Sequence, residues 1–435
     1  VAMAGTTLKG DAQASWRGRP SFDFTLAGEA LTLDPLLDRL GEFADSGSVP
    51  LGGLANLPVP GWIDAKADIK VDGLLSRDVL IKNAALNLDL TNGKLYLRNL
   101  RGSVAGNTVV SMRGALVPDD VPHFDGKISA TSDSLSALSL WLESLRKEPG
   151  VTKVGEVTNA VSVELKPADT KAEPIDTTAR AFAVTSTLRL TPDILAFSDI
   201  RAAYSKSTEA PTLTGSTALS SSGDRVLVTS DLAATNFDLD PLRALWPVDT
   251  GPAYLLAAYD FNVKATAARL KFDQKTITGL EVVASTVEGK LGLERFHADA
   301  LAGARVDLSG VLSGVAEMRL DALRGTMKGT VVSEDAGDFF ALFGFGKSGF
   351  AGPADLGVDF ASGKAVDSEA ALDTLTVKGT LGESRVDAVM KRAQVSGDGA
   401  DTINLIANAS NAQGRALLKH RAARQCGRGD IHRKR

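Results

Sequence analysis

LNLDLTNGKLYLRNL, residues 86–100, decides how the chain is to be read. Leu86, Leu88 and Leu90 alternate with Asn87 and Asp89, and Leu95 and Leu97 follow with Tyr96 and Arg98 between and after them. Alternation with a period of two puts apolar side chains on one face of a strand and polar ones on the other. Working outward, the same rhythm returns in ADIKVDG (67–73), AVSVELK (160–166), YDFNVKA (259–265) and ADLGVDF (354–360).

Each of these stretches follows a Pro/Gly junction, at Pro60-Gly61, Pro149-Gly150, Gly251-Pro252 and Gly352-Pro353. The junction glycines are 89, 101 and 101 residues apart, and such dipeptides punctuate element boundaries. Between junctions, GKLYLRNLRGSVAG (93–106), ILAFSDIRAAY (194–204) and GKLGLERFHADALAG (289–303) occupy equivalent places. A glycine-containing strand comes next, at Gly10, Gly114, Gly215 and Gly310. Self-similarity at a fixed period is the signature of a repeat protein.

Each unit closes on a helix start. LTLDPLLDRL (31–40) and FDLDPLRALW (237–246) place Asp34 and Asp240 at an N-cap and Pro35 and Pro241 at the first helical position. The Asp carboxylate is expected to accept a hydrogen bond from an orphan helical amide, and Pro loses nothing where its missing donor would be unpaired. Leu242, Leu245 and Trp246 then share a helix face, as do Leu138, Trp141 and Leu142 after a Ser cap; Phe339, Phe340 and Phe343 take that place in the next unit. The expected organisation is the end of one unit (1–59), three whole units (60–148, 149–250 and 251–351) and the front of another (352–418). Residues 151–176 read as an exposed connection.

The expected fold is therefore mainly β: a long, strongly twisted antiparallel sheet of repeated units, each of about five strands and one short helix, forming an open groove or taco. One short helix cannot cover five strands, and a large apolar face in water must be covered by something. A stacked β-sandwich, in which a second sheet provides the cover, is the alternative. In a groove, the lining candidates are Ile69, Val71, Leu86, Leu88, Leu90, Leu95, Leu97, Leu195, Phe197, Phe261, Val263, Leu291 and Leu293. Such a lining suits acyl chains, which need burial rather than hydrogen bonds.

The order of Pro/Gly junction, LNLDLTNGKLYLRNLRGSVAGNTVVSMRGAL (86–116) and a strand entering the Asp-Pro helix resembles the AsmA family of Gram-negative cell envelopes, which includes the translocation and assembly module B proteins. The resemblance covers residues 1–418 and implies a periplasmic protein held to the inner membrane by an N-terminal helix. It further implies phospholipid as cargo, a membrane at one or both ends, and outer-membrane assembly proteins as partners. Val1 begins in mid-pattern and no such anchor is present, so the chain reads as a fragment of something longer.

Composition excludes most other classes. The single cysteine, Cys426, permits no internal disulfide or CxxC metal site, and two of the four histidines, His420 and His432, lie in the last residues. His123 and His297 read as polar residues at strand edges. GFGKSG (344–349) lacks the spacing of a phosphate loop, and no nucleophile elbow or metalloprotease motif occurs. No enzyme activity, metal or cofactor is expected. Residues 419–435 hold seven Lys or Arg and one Asp; without them the formal charge falls from −5 to −11, an acidic body unsuited to nucleic acid. This basic tail reads as disordered or non-native. No window approaches the ~18 to 20 apolar residues of a membrane-spanning helix.

Overall fold

The alternating stretches become strands wherever the computed structural model describes them; it describes residues 2–3, 6–32, 48–49, 51–76, 79–138, 181–222, 225–243, 259–315, 323–342, 352–364, 371–394, 402–411 and 421–423. Among these, 73% are strand and 7% helix, in an open, twisted, mixed sheet. AVSVELK and the 151–176 connection lie outside the described residues, as do Asp34-Pro35, Trp141, Leu142, Leu245, Trp246, Phe343 and GFGKSG.

The chain divides into two units: Val1–Thr214 with Pro241–Pro247, and Gly215–Asp240 with Val248–Arg435. In the first, β1 (Ala2–Met3) and β2 (Thr6–Thr7) form a small hairpin. The main ladder then runs β3 (Lys9–Ser15), β4 (Ser21–Thr32), β5 (Asp64–Ser76), β6 (Val79–Thr91), β7 (Lys94–Val104), β8 (Thr108–Val117), β9 (His123–Ser132), β10 (Phe182–Leu190) and β11 (Ile194–Ala203), each paired with the next. In the second unit, which holds most of β12 (Leu213–Ser222), the ladder runs from β13 (Arg225–Asp238) through β14 (Tyr259–Phe272), β15 (Lys275–Val287), β16 (Lys290–Leu301), β17 (Ala304–Ser313), β18 (Arg324–Ser333), β19 (Ala354–Lys364), β20 (Ala371–Leu381), β21 (Ser384–Gln394), β22 (Thr402–Asn411) and β23 (Arg421–Ala423). The start of the basic tail, expected to be disordered, thus supplies a short last strand opposite Asn404–Ile406.

Within the expected units the strands pair antiparallel, because few residues join one to the next. The unit junctions differ. β4 pairs parallel with β5, and β13 parallel with β14, whereas β9–β10 and β18–β19 are antiparallel. A parallel pair needs a connection that returns the chain to the strand's starting end, and the stretches after Thr32 and Asp238 are long enough to do so. The sheet is therefore mixed rather than purely antiparallel. Parallel and antiparallel junctions alternate, so β5–β9 reappears as β14–β18 with Asp64 answered by Asp260, 196 positions later.

Those two aspartates open the parallel strands and are held alike. Arg19 pairs with Asp64 at 3.1 Å and donates to the Asn92 side chain at 2.8 Å, while the Asn92 amide donates to Asp64 at 3.1 Å. Arg225 pairs with Asp260 at 3.1 Å, and the Glu288 amide donates to Asp260 at 3.1 Å. Each carboxylate therefore ties the start of its strand to a neighbouring hairpin turn.

The closing helices are short. In α1 (Asp240–Arg243) the Asp240 carboxylate accepts the backbone amides of Asp273 and Gln274, at 2.5 and 2.9 Å. It clamps the β14–β15 turn, where Asp273 and Gln274 hold positive φ. The Ser cap holds as expected: the Ala137 amide donates to the Ser134 hydroxyl at 3.3 Å. In α2 (Gly337–Ala341), Phe339 is only 7% exposed and packs on Val306, Val331 and Leu356. Phe339→Ala should cost about 3–5 kcal/mol of stability in the second unit, read from the urea midpoint; a shift within error would mean that α2 merely rests on the sheet.

Candidate functional site

Residues directly opposite on paired strands share a face, so the registers trace the apolar surface side chain by side chain. In the first unit one row runs Phe22, Ala65, Leu90, Leu95, Leu116, Phe124, Leu190 and Leu195 from β4 to β11. The next runs Phe24, Ala67, Leu88, Leu97, Gly114, Gly126, Leu188 and Phe197. A third carries Leu26, Ile69, Leu86, Leu100, Met112 and Ile128, and Val71 opposes Ala84 beyond it. No charged residue interrupts these rows.

The second unit repeats the device. Leu232, Ala265, Val282, Phe296, Leu308, Gly329, Val358, Val377, Ala388 and Ala407 stand opposite one another from β13 to β22. Val263 joins Leu293 through Ala284, and Phe261 joins Leu291 through Thr286, in the adjacent rows.

All thirteen sequence candidates therefore lie on the apolar face of their own unit, nine in the first and four in the second. Val71, Leu90, Leu97 and Leu195 are buried; Ile69, Leu86, Leu88, Leu95, Phe197, Phe261, Val263, Leu291 and Leu293 are half-buried. Cover comes from the strand ends. In the first unit the Gly52–Asn56 turn lies beside β9, and the Ser48 amide before it donates to the Pro192 carbonyl in the β10–β11 turn at 2.9 Å. In the second unit α2 covers the row of Val306, Val331 and Leu356. The rows nearer mid-strand keep apolar area in contact with solvent. Sequence reading missed Phe22, Phe24, Leu188 and Leu190, although SFDFTL and TLRL carry the same alternation that marked the others.

The opposite face is charged and paired. Arg98 meets Asp89 at 2.9 Å and lies over the Tyr96 ring at 4.7 Å; Arg295 meets Glu281 at 3.0 Å and Lys328 meets Asp359 at 3.8 Å. The Asp89 carboxyl is held below the usual range by hydrogen bonds from Thr91 and then Arg98. A concavity of about 850 Å³ over β16–β20 is lined by Phe296, Leu308 and Val358 of the apolar row together with Arg295, Asp307, Lys328, Asp359 and Lys378, whose mixed signs offer no single-signed field to a ligand.

His297 sits on this face, with Nδ1 at 2.6 Å from Asp307 and Nε2 at 3.3 Å from Asp299; Glu281 stands opposite on β15. The hydrogen bond to Asp307 is the main cause that raises its pKa, against a smaller opposing effect of burial. A raised pKa makes the pairing fully stabilising below the unfolded value of about 6.5, and that contribution is lost as pH rises through the folded value. The His297 ring resonance should titrate above that value by NMR, and Asp307→Asn should lower the midpoint; no change in the variant would remove Asp307 as the cause.

No family model, no curated protein and no solved structure matches the chain.

Proposed function

We propose that this chain is a non-enzymatic segment of an AsmA-type cell-envelope protein, and that its apolar face forms a hydrophobic β-groove carrying phospholipid between inner and outer membrane in support of outer-membrane assembly. The observation that carries the reading is the run of opposed apolar and glycine positions, eight strands long in the first unit and ten in the second, of which members such as Leu88, Phe197, Val282 and Phe296 are only half-buried. A face of that extent in water is an energetic liability unless something apolar occupies it. Acyl chains match it, because they need contact with CH₂ and methyl groups and no hydrogen bonds. A chain moving from one row to the next exchanges like for like, so the process needs no catalytic group. Headgroups would remain in water at the strand ends, where the turns are polar.

A repeat scaffold or adhesin would instead require these faces packed on one another throughout. Partial exposure of Leu88, Leu86, Phe197, Val282 and Phe296 along these rows favours the carrier. Native mass spectrometry of the chain after gentle extraction should show bound phospholipid in more than one detergent; lipid-free protein in all of them would sink the proposal.

A further inference from the structure

We propose that the apolar face of the first unit contains a fixed seat for a single hydrocarbon chain, a pocket of about 210 Å³ between β9, β10 and β11. This deepens the carrier reading, on which it rests for the natural ligand: most of the face lets a chain slide, whereas this pocket holds one in place.

The pocket arises from a break in strand pairing. Thr185 opposes Arg201 and Thr187 opposes Ser198, so β11 carries one more residue than β10 across this interval, and Asp199 takes φ 51° within it. An extra residue bends the strand and opens the ladder. Around the opening, Ile128, Ala130, Val184, Phe197 and Ile200 line a recess together with Ser186. Ile128, Ala130, Val184 and Ser186 belong to the apolar rows, since Ile128 opposes Ser186 and Ala130 opposes Val184.

Ser186 decides what the pocket holds. It is buried, and its hydroxyl donates to the Ser198 carbonyl at 2.8 Å and lies 3.2 Å from the Thr187 carbonyl. The polarity of the one hydroxyl on the lining face is thus satisfied within the backbone of the bulge. Ser129 and Thr185 border the pocket from positions of opposite parity; the Ser129 hydroxyl bonds that of Ser111 at 2.7 Å, and the Thr185 hydroxyl donates to that of Thr208 at 3.5 Å. A water needs two to four polar partners to be held, and an apolar cavity of roughly 150 Å³ stays dry and takes benzene. A headgroup would lose its hydrogen bonds here; a length of alkyl chain loses none.

The test uses benzene as probe, with the whole chain in detergent-free buffer and methyl-resolved NMR. Benzene should produce saturable shifts confined to the methyls of Ile128, Val184 and Ile200, and Ala130→Phe, which places a ring in the recess, should weaken binding at least tenfold. Shifts that spread over the apolar face and rise linearly without saturation would overturn the seat, as would undiminished binding in Ala130→Phe. Should that variant fail to fold, Val184→Ala decides: enlarging the pocket should tighten p-xylene several-fold, and an unchanged affinity overturns the proposal. Bound phospholipid is counted in the same preparation. Phospholipid without a benzene site overturns the seat alone, whereas a benzene site without phospholipid supports the seat and removes the carrier reading.

Discussion

Leu88→Asp should strip most of the bound phospholipid from the purified chain while leaving its circular dichroism and melting behaviour nearly unchanged. Leu88 stands mid-strand in β6, between Ala67 and Leu97, and is half-buried. A carboxylate there can stay hydrated while the face is empty, so the folded state loses little, about 1 kcal/mol as for a typical substitution. With an acyl chain across the same row, the carboxylate must be desolvated against hydrocarbon, at a cost of several kcal/mol that falls on binding. Asn87→Asp, one position along and on the charged face, should leave the lipid count intact. If Leu88→Asp unfolds the first unit instead, the residue belongs to a closed sandwich core; if lipid persists unchanged, the face is not the site of carriage.

Gly310→Ala should be among the most destabilising single changes in the second unit. A β-carbon built on Gly310 would lie 2.2 Å from the Thr326 carbonyl oxygen and 2.6 Å from the Met327 Cα, both backbone atoms of the neighbouring strand β18. Nothing flexible can move aside, so the β17–β18 ladder, in which Gly310 opposes Met327, must part. The expected loss is about 2–4 kcal/mol, with faster hydrogen exchange for the amides around Met327. Gly61→Ala, where a β-carbon meets open space, should change stability by under about 0.5 kcal/mol and serves as control. Equal behaviour of the two variants would show that the close approach is not maintained in solution. The other recurring glycines, Gly10, Gly114 and Gly215, would place a β-carbon 1.8, 2.4 and 2.1 Å from the carbonyl oxygens of Thr25, Asp125 and Asp231, which gives their recurrence in the sequence a shared steric cause.

Much of the surface was legible before any coordinates. Leu86, Leu88 and Leu90 show their common face because side-chain direction along a strand depends only on local backbone geometry. The helix signal at Asp240-Pro241 was legible as punctuation, but the bonds the carboxylate makes to a distant turn were not. Its partners, the amides of Asp273 and Gln274, are brought to it only when β14 returns beside β13. The Arg19–Asp64 and Arg225–Asp260 clamps escaped for the same reason, since each joins residues that are remote in sequence.

By itself the sequence determined that the described residues are mainly strands and which residues of each strand share the apolar side; these are local properties, written in a period of two. Only the tertiary structure decided which strands are neighbours in what register, that the junctions alternate between parallel and antiparallel, and that a recess lies beside the mismatch between Thr185 and Thr187. Those features depend on the path of the long connections and on one residue more or less across a ladder, and alternation is the same whichever neighbour a strand finds.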